Sequence, residues 1–399
     1  MAKEYSPFTP GVPVPIDFFV GRDSEVRAIV DKAKSACAGR IERIFVYGER
    51  GIGKSSLCRM ARVIAEKDGS LLGVHVFLGG VNSLQEMVRR IFEKILKDNI
   101  DRPWHQEIRS FLGQHVREVG LFGVSVEFNA DVKELTQLVN QFASSLRRLI
   151  QHLGHDKKGI MLILDDINGI AGSEEFANWL KSLVDEIATS DQPLPLLLVL
   201  VGLPERRAQL LKSQPSLARV FDPVDIKKLS QDETNEFYRQ SFLKVGIQID
   251  KEALDTLWRY SGGYPVLAHE IGDAVFKVDV DNVIDDHDAL QGVLRAADVI
   301  GQKYIEPQVY DAIRSQRYRS ILRKLANKPF ETQFKRKDAV ASLNPDEAGV
   351  FDNFLSKMKK LGVLMEDKDT DRGGYKFTSD LQYLFMWLEA QRAKEDKIK

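Results

Sequence analysis

The sequence predicts a three-layer α/β fold on a parallel sheet, followed by a helical region and a short terminal module. Three observations carry this. Apolar, β-prone runs at residues 44–47, 71–78, 159–164 and 196–201 alternate with segments of helical periodicity. A glycine-rich turn, Gly48-Glu49-Arg50-Gly51-Ile52-Gly53-Lys54-Ser55, joins the first run to a helix-prone stretch. From residue 229 to about 302 the strand pattern stops and only helices are expected, and the last stretch changes character again.

Residues 7–19 read as an extended arm, punctuated by Pro7, Pro10, Pro13 and Pro15. A helix over 24–38 places Val26, Ile29, Val30 and Ala33 on one face. After the loop-bearing strand and helix come a strand at 71–78 and a helix over 83–98. His75 in that strand reads as a packed or edge histidine, because no ligand partner lies near it in sequence. Residues 121–128 alternate apolar with small or polar side chains and predict one arm of a β-hairpin inserted into the core, with Val116 and Val119 leading in. One helix over 132–153 precedes the strand that ends in Asp165-Asp166, and a helix over 173–189 precedes the strand at 196–201. The helix at 251–260 stops at Gly262-Gly263, and Pro265 starts the next. Beyond 303, three short helices and two strands flanking 369–374 predict a winged helix-turn-helix.

The chain has 399 residues, 43% hydrophobic and 29% charged, with net charge −1, so no global basic field points to nucleic acid or anionic membrane. Two cysteines, Cys37 and Cys58, have no metal-ligand spacing, which fits a reducing compartment, and Cys58 reads as a buried thiol. The amino-terminal residues lack the apolar core of a secretory signal. The longest apolar run, 193–202, is far short of the about 18 residues that span a bilayer. A cytoplasmic protein without a membrane partner is the expectation.

Strand, glycine-rich turn and helix in this order aim backbone N–H groups and the positive helix end at a triphosphate. Gly48, Glu49, Arg50, Gly51, Ile52, Gly53, Lys54, Ser55 and Ser56 are therefore the expected cradle for ATP or GTP. Lys54 would reach the β- and γ-phosphates, and the Ser55 hydroxyl would ligate Mg²⁺. Asp165 would join the Mg²⁺ shell, and Asp166 would polarise the attacking water. A strand ending in two aspartates is by itself only a strand exit; downstream of a phosphate loop it completes an ATPase site.

Phe18-Phe19-Val20-Gly21-Arg22-Asp23-Ser24-Glu25-Val26, with the phosphate loop following, resembles the opening segment of the AAA+-related ATPases. The origin-recognition-like and STAND (signal-transduction ATPase) groups, in particular the MNS and archaeal-type branch, are the nearest in pattern. The resemblance implies that Val20, Gly21 and Arg22 lie against adenine; a helix start capped by Asp23 or Ser24 is the plainer alternative. It implies that Arg219, in Ser216-Leu217-Ala218-Arg219-Val220-Phe221, is an arginine finger acting in a homo-oligomer, where a surface arginine is the alternative. Ser261-Gly262-Gly263-Tyr264-Pro265 resembles the lid element whose proline lines the nucleotide pocket, although capping accounts for Pro265 as well. Two departures stand out. The strand ending Val201-Gly202-Leu203-Pro204 has no polar sensor residue, and the lid has no evident second-sensor arginine. Both favour a switch over a fast motor. The resemblance covers residues 7–300 well and the terminal module in outline.

The implied organisation is an arm (1–19), an AAA+-like P-loop core (20–226), a helical lid (227–302) and a winged helix (303–399). In the last, Arg314, Arg317, Arg319, Arg323, Lys324, Lys328, Lys335, Arg336 and Lys337 form a basic first helix and turn that could touch duplex DNA. The presumed recognition helix opens with Pro345-Asp346-Glu347 and contains Asp352, and the wing tip at 367–372 is net acidic, which disfavours base readout. A nucleotide-gated switch that cycles between ATP and ADP and recruits a protein effector is the reading this supports. A DNA-binding loader and a scaffold that hydrolyses nothing are the alternatives.

Overall fold

Strands buried on both faces must be covered on both, and this requirement shapes the larger part of the chain. The computed structural model describes residues 5–67, 71–98, 116–118, 126–128, 130–153, 157–327, 332–367 and 373–395. They divide into two compact units, residues 22–227 and residues 1–21 with 228–399.

The first unit runs α1 (Asp23–Cys37), β1 (Ile41–Gly48), α2 (Lys54–Lys67), β2 (Leu71–Phe77), α3 (Leu84–Asp98), β3 (Val116–Glu118), β4 (Val126–Phe128), α4 (Val132–Asn140) and α5 (Phe142–His152). It continues with β5 (Gly159–Asp165), α6 (Glu174–Thr189), β6 (Leu196–Gly202), α7 (Pro204–Ser213), α8 (Leu217–Val220) and β7 (Asp222–Ile226). Five strands form one parallel sheet in the order β2-β5-β6-β1-β7. Every residue of β5 and β6 is buried. Leu72, Val74, Ile160, Leu162, Leu196 and Leu198 pack with α3 through α6, while α1 and α2 cover the opposite face of the sheet. This is the expected three-layer α/β architecture.

Several local expectations change. The helix read over 132–153 is two, interrupted at Gln141, whose φ of −109° leaves the helical range. Helix α1 starts at Asp23 with Arg22 as its N-cap, in the left-handed region (φ 62°), and no side chain caps it. The hairpin is a separate antiparallel pair, Val116↔Phe128 to Glu118↔Val126, and not part of the main sheet. Residues 119 and 121–125 of that expectation lie outside the described residues, as do Lys328 and the wing tip at 368–372. The edge strand β7 was not legible, because Asp222, Pro223 and Asp225 break any strand-like pattern.

The second unit holds α9 (Gln231–Leu243), β8 (Gln248–Ile249), α10 (Lys251–Ser261), α11 (Pro265–Val278), β9 (Val283–Ile284) and α12 (Asp286–Ile300). After a wide helical segment, Gly301–Tyr310, come α13 (Gln316–Leu325), β10 (Gln333–Lys335), α14 (Arg336–Ala341), α15 (Pro345–Ala348) and α16 (Phe351–Lys360). The chain then runs through β11 (Leu364–Glu366), β12 (Gly374–Phe377) and α17 (Asp380–Glu395). Strands β10, β12 and β11 make a small antiparallel sheet, one strand more than expected. The presumed recognition helix is broken between α15 and α16, and buried Glu347 serves structure by accepting from Ser320 Oγ at 2.7 Å and Lys324 Nζ at 2.6 Å.

One apolar cluster runs through this unit, from Leu254 and Ile271 to Phe354 and Phe385. The arm joins it through Phe8, whose ring lies 4.9 Å from that of Phe242 and 5.7 Å from that of Phe237. Beside it, Thr9 N donates to His269 Nδ1 at 3.1 Å. Burial pulls the His269 imidazole down from 6.5 to about 4. The unfolded chain therefore takes up the proton first as pH falls, so stability is intact above about 6.5 and declines towards 4. We expect the loss over that window to approach about 3 kcal/mol at most. Replacement by His269→Gln should flatten this part of a pH series of urea unfolding; an unchanged slope would show that other groups set it.

Candidate functional site

In a parallel sheet all strands end on the same edge, and loops that follow them share it. Here β1 ends at Gly48 and β5 at Asp165, with β6 between them in the sheet order. The phosphate loop, the two aspartates and the β6–α7 junction therefore converge.

The loop is shaped by its glycines. Gly51 (φ 76°) and Gly53 (φ 94°) take left-handed conformations that other residues reach only with strain. Gly48 sits where a Cβ would lie 2.5 Å from the Ile226 carbonyl oxygen. Ile52 is buried, Glu49 and Arg50 are exposed, and Lys54, Ser55 and Ser56 form the first turn of α2. Lys54 Nζ donates to the carbonyls of Gly48 (2.9 Å) and Glu49 (2.7 Å), which braces the loop from inside. Burial lowers the Lys54 pKa, and the charges of Asp165 and Asp166 act against that shift.

Asp165 is 2% exposed. Its Oδ2 is 2.9 Å from His75 Nε2, and His75 is itself buried and stacked on Phe77 at 4.7 Å. His75 is packed, as expected, but its partner is the Asp165 carboxylate. A polar residue in the apolar run of β2 signals that some buried partner exists. Only the pairing of β2 with β5, which aligns Phe77 with Asp165, says which. Asp166 stands just past the strand in a left-handed conformation (φ 56°) and is hydrogen-bonded by Asn168 Nδ2. Asn168 too was not singled out from sequence. The Ser55 hydroxyl and the Asp165 carboxylate are hard oxygen donors, the type that Mg²⁺ takes. Cys58, on the buried side of α2, has no exposure, and burial raises its thiol pKa.

Arg22 is 5% exposed. Its Nη2 donates to Ile52 O in the phosphate loop (3.0 Å) and to Lys227 O (2.7 Å). The guanidinium thus ties the loop to the last residue of the unit. Val20 and Gly21, the other two residues expected at the adenine, belong to the second unit, where Val20 packs on the helical core. Arg219 is exposed on α8, and it makes no ion pair among the described residues. Pro265 occupies the first turn of α11, after Gly262 (φ 56°) and Gly263 (φ 74°). Its packing is the expected capping arrangement.

A family model for the AAA ATPase domain matches residues 19–211. The fold is that of an AAA+-like P-loop ATPase. A Walker-type ATPase of Pyrococcus abyssi superposes with a TM-score of 0.55 at 16% identity, covering 92% of this chain and 96% of its own. The ORC2 protein of Aeropyrum pernix, in its ADPNP–ADP complexes, gives 0.57 at 13% identity, covering 94% and 95%. At such identities the likeness is one of fold. A search of curated proteins gives no match. Among the described residues no helix is long and apolar enough to cross a membrane.

The close approach at Gly48 gives a direct test. Gly48→Ala should destabilise the protein by about 1–3 kcal/mol through overpacking against Ile226. Urea unfolding reads this, and an unaltered midpoint would mean that β7 yields without cost.

Proposed function

We propose that this chain is an ATP-binding, Mg²⁺-dependent ATP-hydrolysing switch of the STAND type. The observation that carries it is the convergence of the phosphate loop, Asp165 and Asp166 at one sheet edge, with Lys54 in the field of both carboxylates. In this reading the backbone N–H groups of the loop and Lys54 hold the phosphates, and Ser55 and Asp165 hold the metal. Bound Mg²⁺ would offset phosphate charge. Asp166 orients the attacking water and accepts its proton. Val20, Gly21 and Arg22 flank adenine, Pro265 lines the pocket from the lid, and Arg219 acts on a neighbouring copy's nucleotide.

A switch needs contacts that differ between the ATP and ADP states. The link from Ile52 O through Arg22 to Lys227 O supports this role, because it joins the phosphate loop to the point where the chain leaves for the lid. Nucleotide state would set the arrangement of the lid and the winged helix, and with it recruitment of a protein effector.

The second reading is an origin-recognition-like ATPase that contacts duplex DNA through the basic first helix of the winged helix. Exposed Arg314, Arg317, Arg323, Lys335 and Lys337 favour it. Against it, Arg319 is bonded to the Ile313 and Tyr310 carbonyls, Lys324 to Glu347, and Arg336 to Asp352. That leaves a thinner basic face than composition suggested.

Lys54→Ala should abolish nucleotide binding in a titration with labelled ATP; retained affinity would end the ATPase reading. Asp166→Ala should keep ATP bound and lose turnover by about 10²-fold or more. Arg219→Ala should lower the activity of an oligomer only, and equal loss in isolated monomers would exclude the finger role. Duplex binding followed by fluorescence anisotropy with ATP and then ADP, over a salt series, separates the two readings. Tight, steeply salt-dependent binding in one nucleotide state would favour the loader, and no binding in either would favour the protein switch.

A further inference from the structure

The residues of the β6–α7 junction, Val201-Gly202-Leu203-Pro204, carry no side chain that can hydrogen-bond. The turn after the neighbouring strand β5 supplies what they lack. Asn168, three residues beyond Asp165, reaches in two directions: its Oδ1 accepts from Leu203 N at 3.2 Å, and its Nδ2 donates to Asp166 Oδ1. The amide cannot be turned the other way. The Leu203 N–H only donates and an ionised carboxylate only accepts, so the oxygen must face the first and the nitrogen the second.

Asp166 is closely flanked on its other side. A Cβ on Gly79 would lie 3.0 Å from Asp166 Oδ2, so the backbone after β2 closes on that oxygen. The left-handed turn at Asp166 swings its side chain out of the strand's alternation, and that conformation alone would leave χ1 and χ2 free. Asn168 removes that freedom. It also ties the position of the carboxylate to the start of α7, which Leu203 caps.

We propose that Asn168 is the positioning residue for Asp166, its amide joining that carboxylate to the β6–α7 junction so that the water-orienting oxygen keeps one direction. The proposal rests on the ATPase reading above. Asn168 itself need touch neither nucleotide nor metal.

Two variants separate its two bonds. Asn168→Asp keeps an acceptor for Leu203 N–H but replaces the donor with a second carboxylate. Turnover should fall by about 10²-fold, the usual consequence of a misplaced reacting group, with ATP affinity unchanged. A parent-like rate in Asn168→Asp would overturn the proposal and leave Asn168 as a brace for Leu203 alone. Asn168→Ala is combined with Asp166→Ala in a thermal-unfolding cycle, which needs no turnover. The double variant should lose less than the sum of the single losses, by about 2–4 °C. Strict additivity would overturn the link. Parent turnover with an additive cycle leaves the ATPase reading standing and removes Asn168. A coupled cycle in a chain that hydrolyses nothing overturns the ATPase reading, and the positioning role with it.

Discussion

Parallel pairing of β1 with β6 and of β6 with β5 is the constraint on which the rest depends. It forces three strands to finish on one edge and buries their sides, so polar chemistry can stand only at their ends. The completely buried β5 and β6 anchor that edge in the core. A phosphate loop after β1 and carboxylates after β5 then meet without any loop having to reach for them. The same geometry gives Gly48 no room for a side chain, because β7 approaches it to pair at Ile226.

Polar groups brought to such an edge need partners, and most of the local detail follows from that need. Asp165 has His75, Asp166 has Asn168, and Lys54 has two loop carbonyls. Arg22 joins the Ile52 and Lys227 carbonyls in the same way. Each bond also carries positional information. The loop, Lys227 at the end of the first unit, and the β6–α7 junction are tied by these bonds to the edge where the strands finish.

The second unit has a different logic. Its helices and its small sheet share one apolar cluster, and Phe8 of the arm is part of it. Gly272 has no side chain because the Phe8 ring lies there: a Cβ would be 2.4 Å from it. Paired basic side chains such as Lys324 and Arg336 show how composition overstates a charged face. A lysine held by a buried glutamate is part of the packing before it is part of a field.

By itself the sequence determined the α/β class, the order and nature of the sheet-forming runs of β1, β2, β5 and β6, and the phosphate loop. These depend on local information: period, apolar runs and glycine placement are written within a few residues. It did not disclose β7, the break at Gln141, or the third strand β10, whose patterns are too short or too polar to stand out. It could not name the partner of Asp165 or the link from Asn168 to Leu203. His75 meets Asp165 only because β2 lies beside β5, and Asn168 meets Leu203 only because β5 lies beside β6, whereas its bond to Asp166 is local. The pairing of polar groups across strands is a property of strand register and sheet order, and no local pattern encodes it.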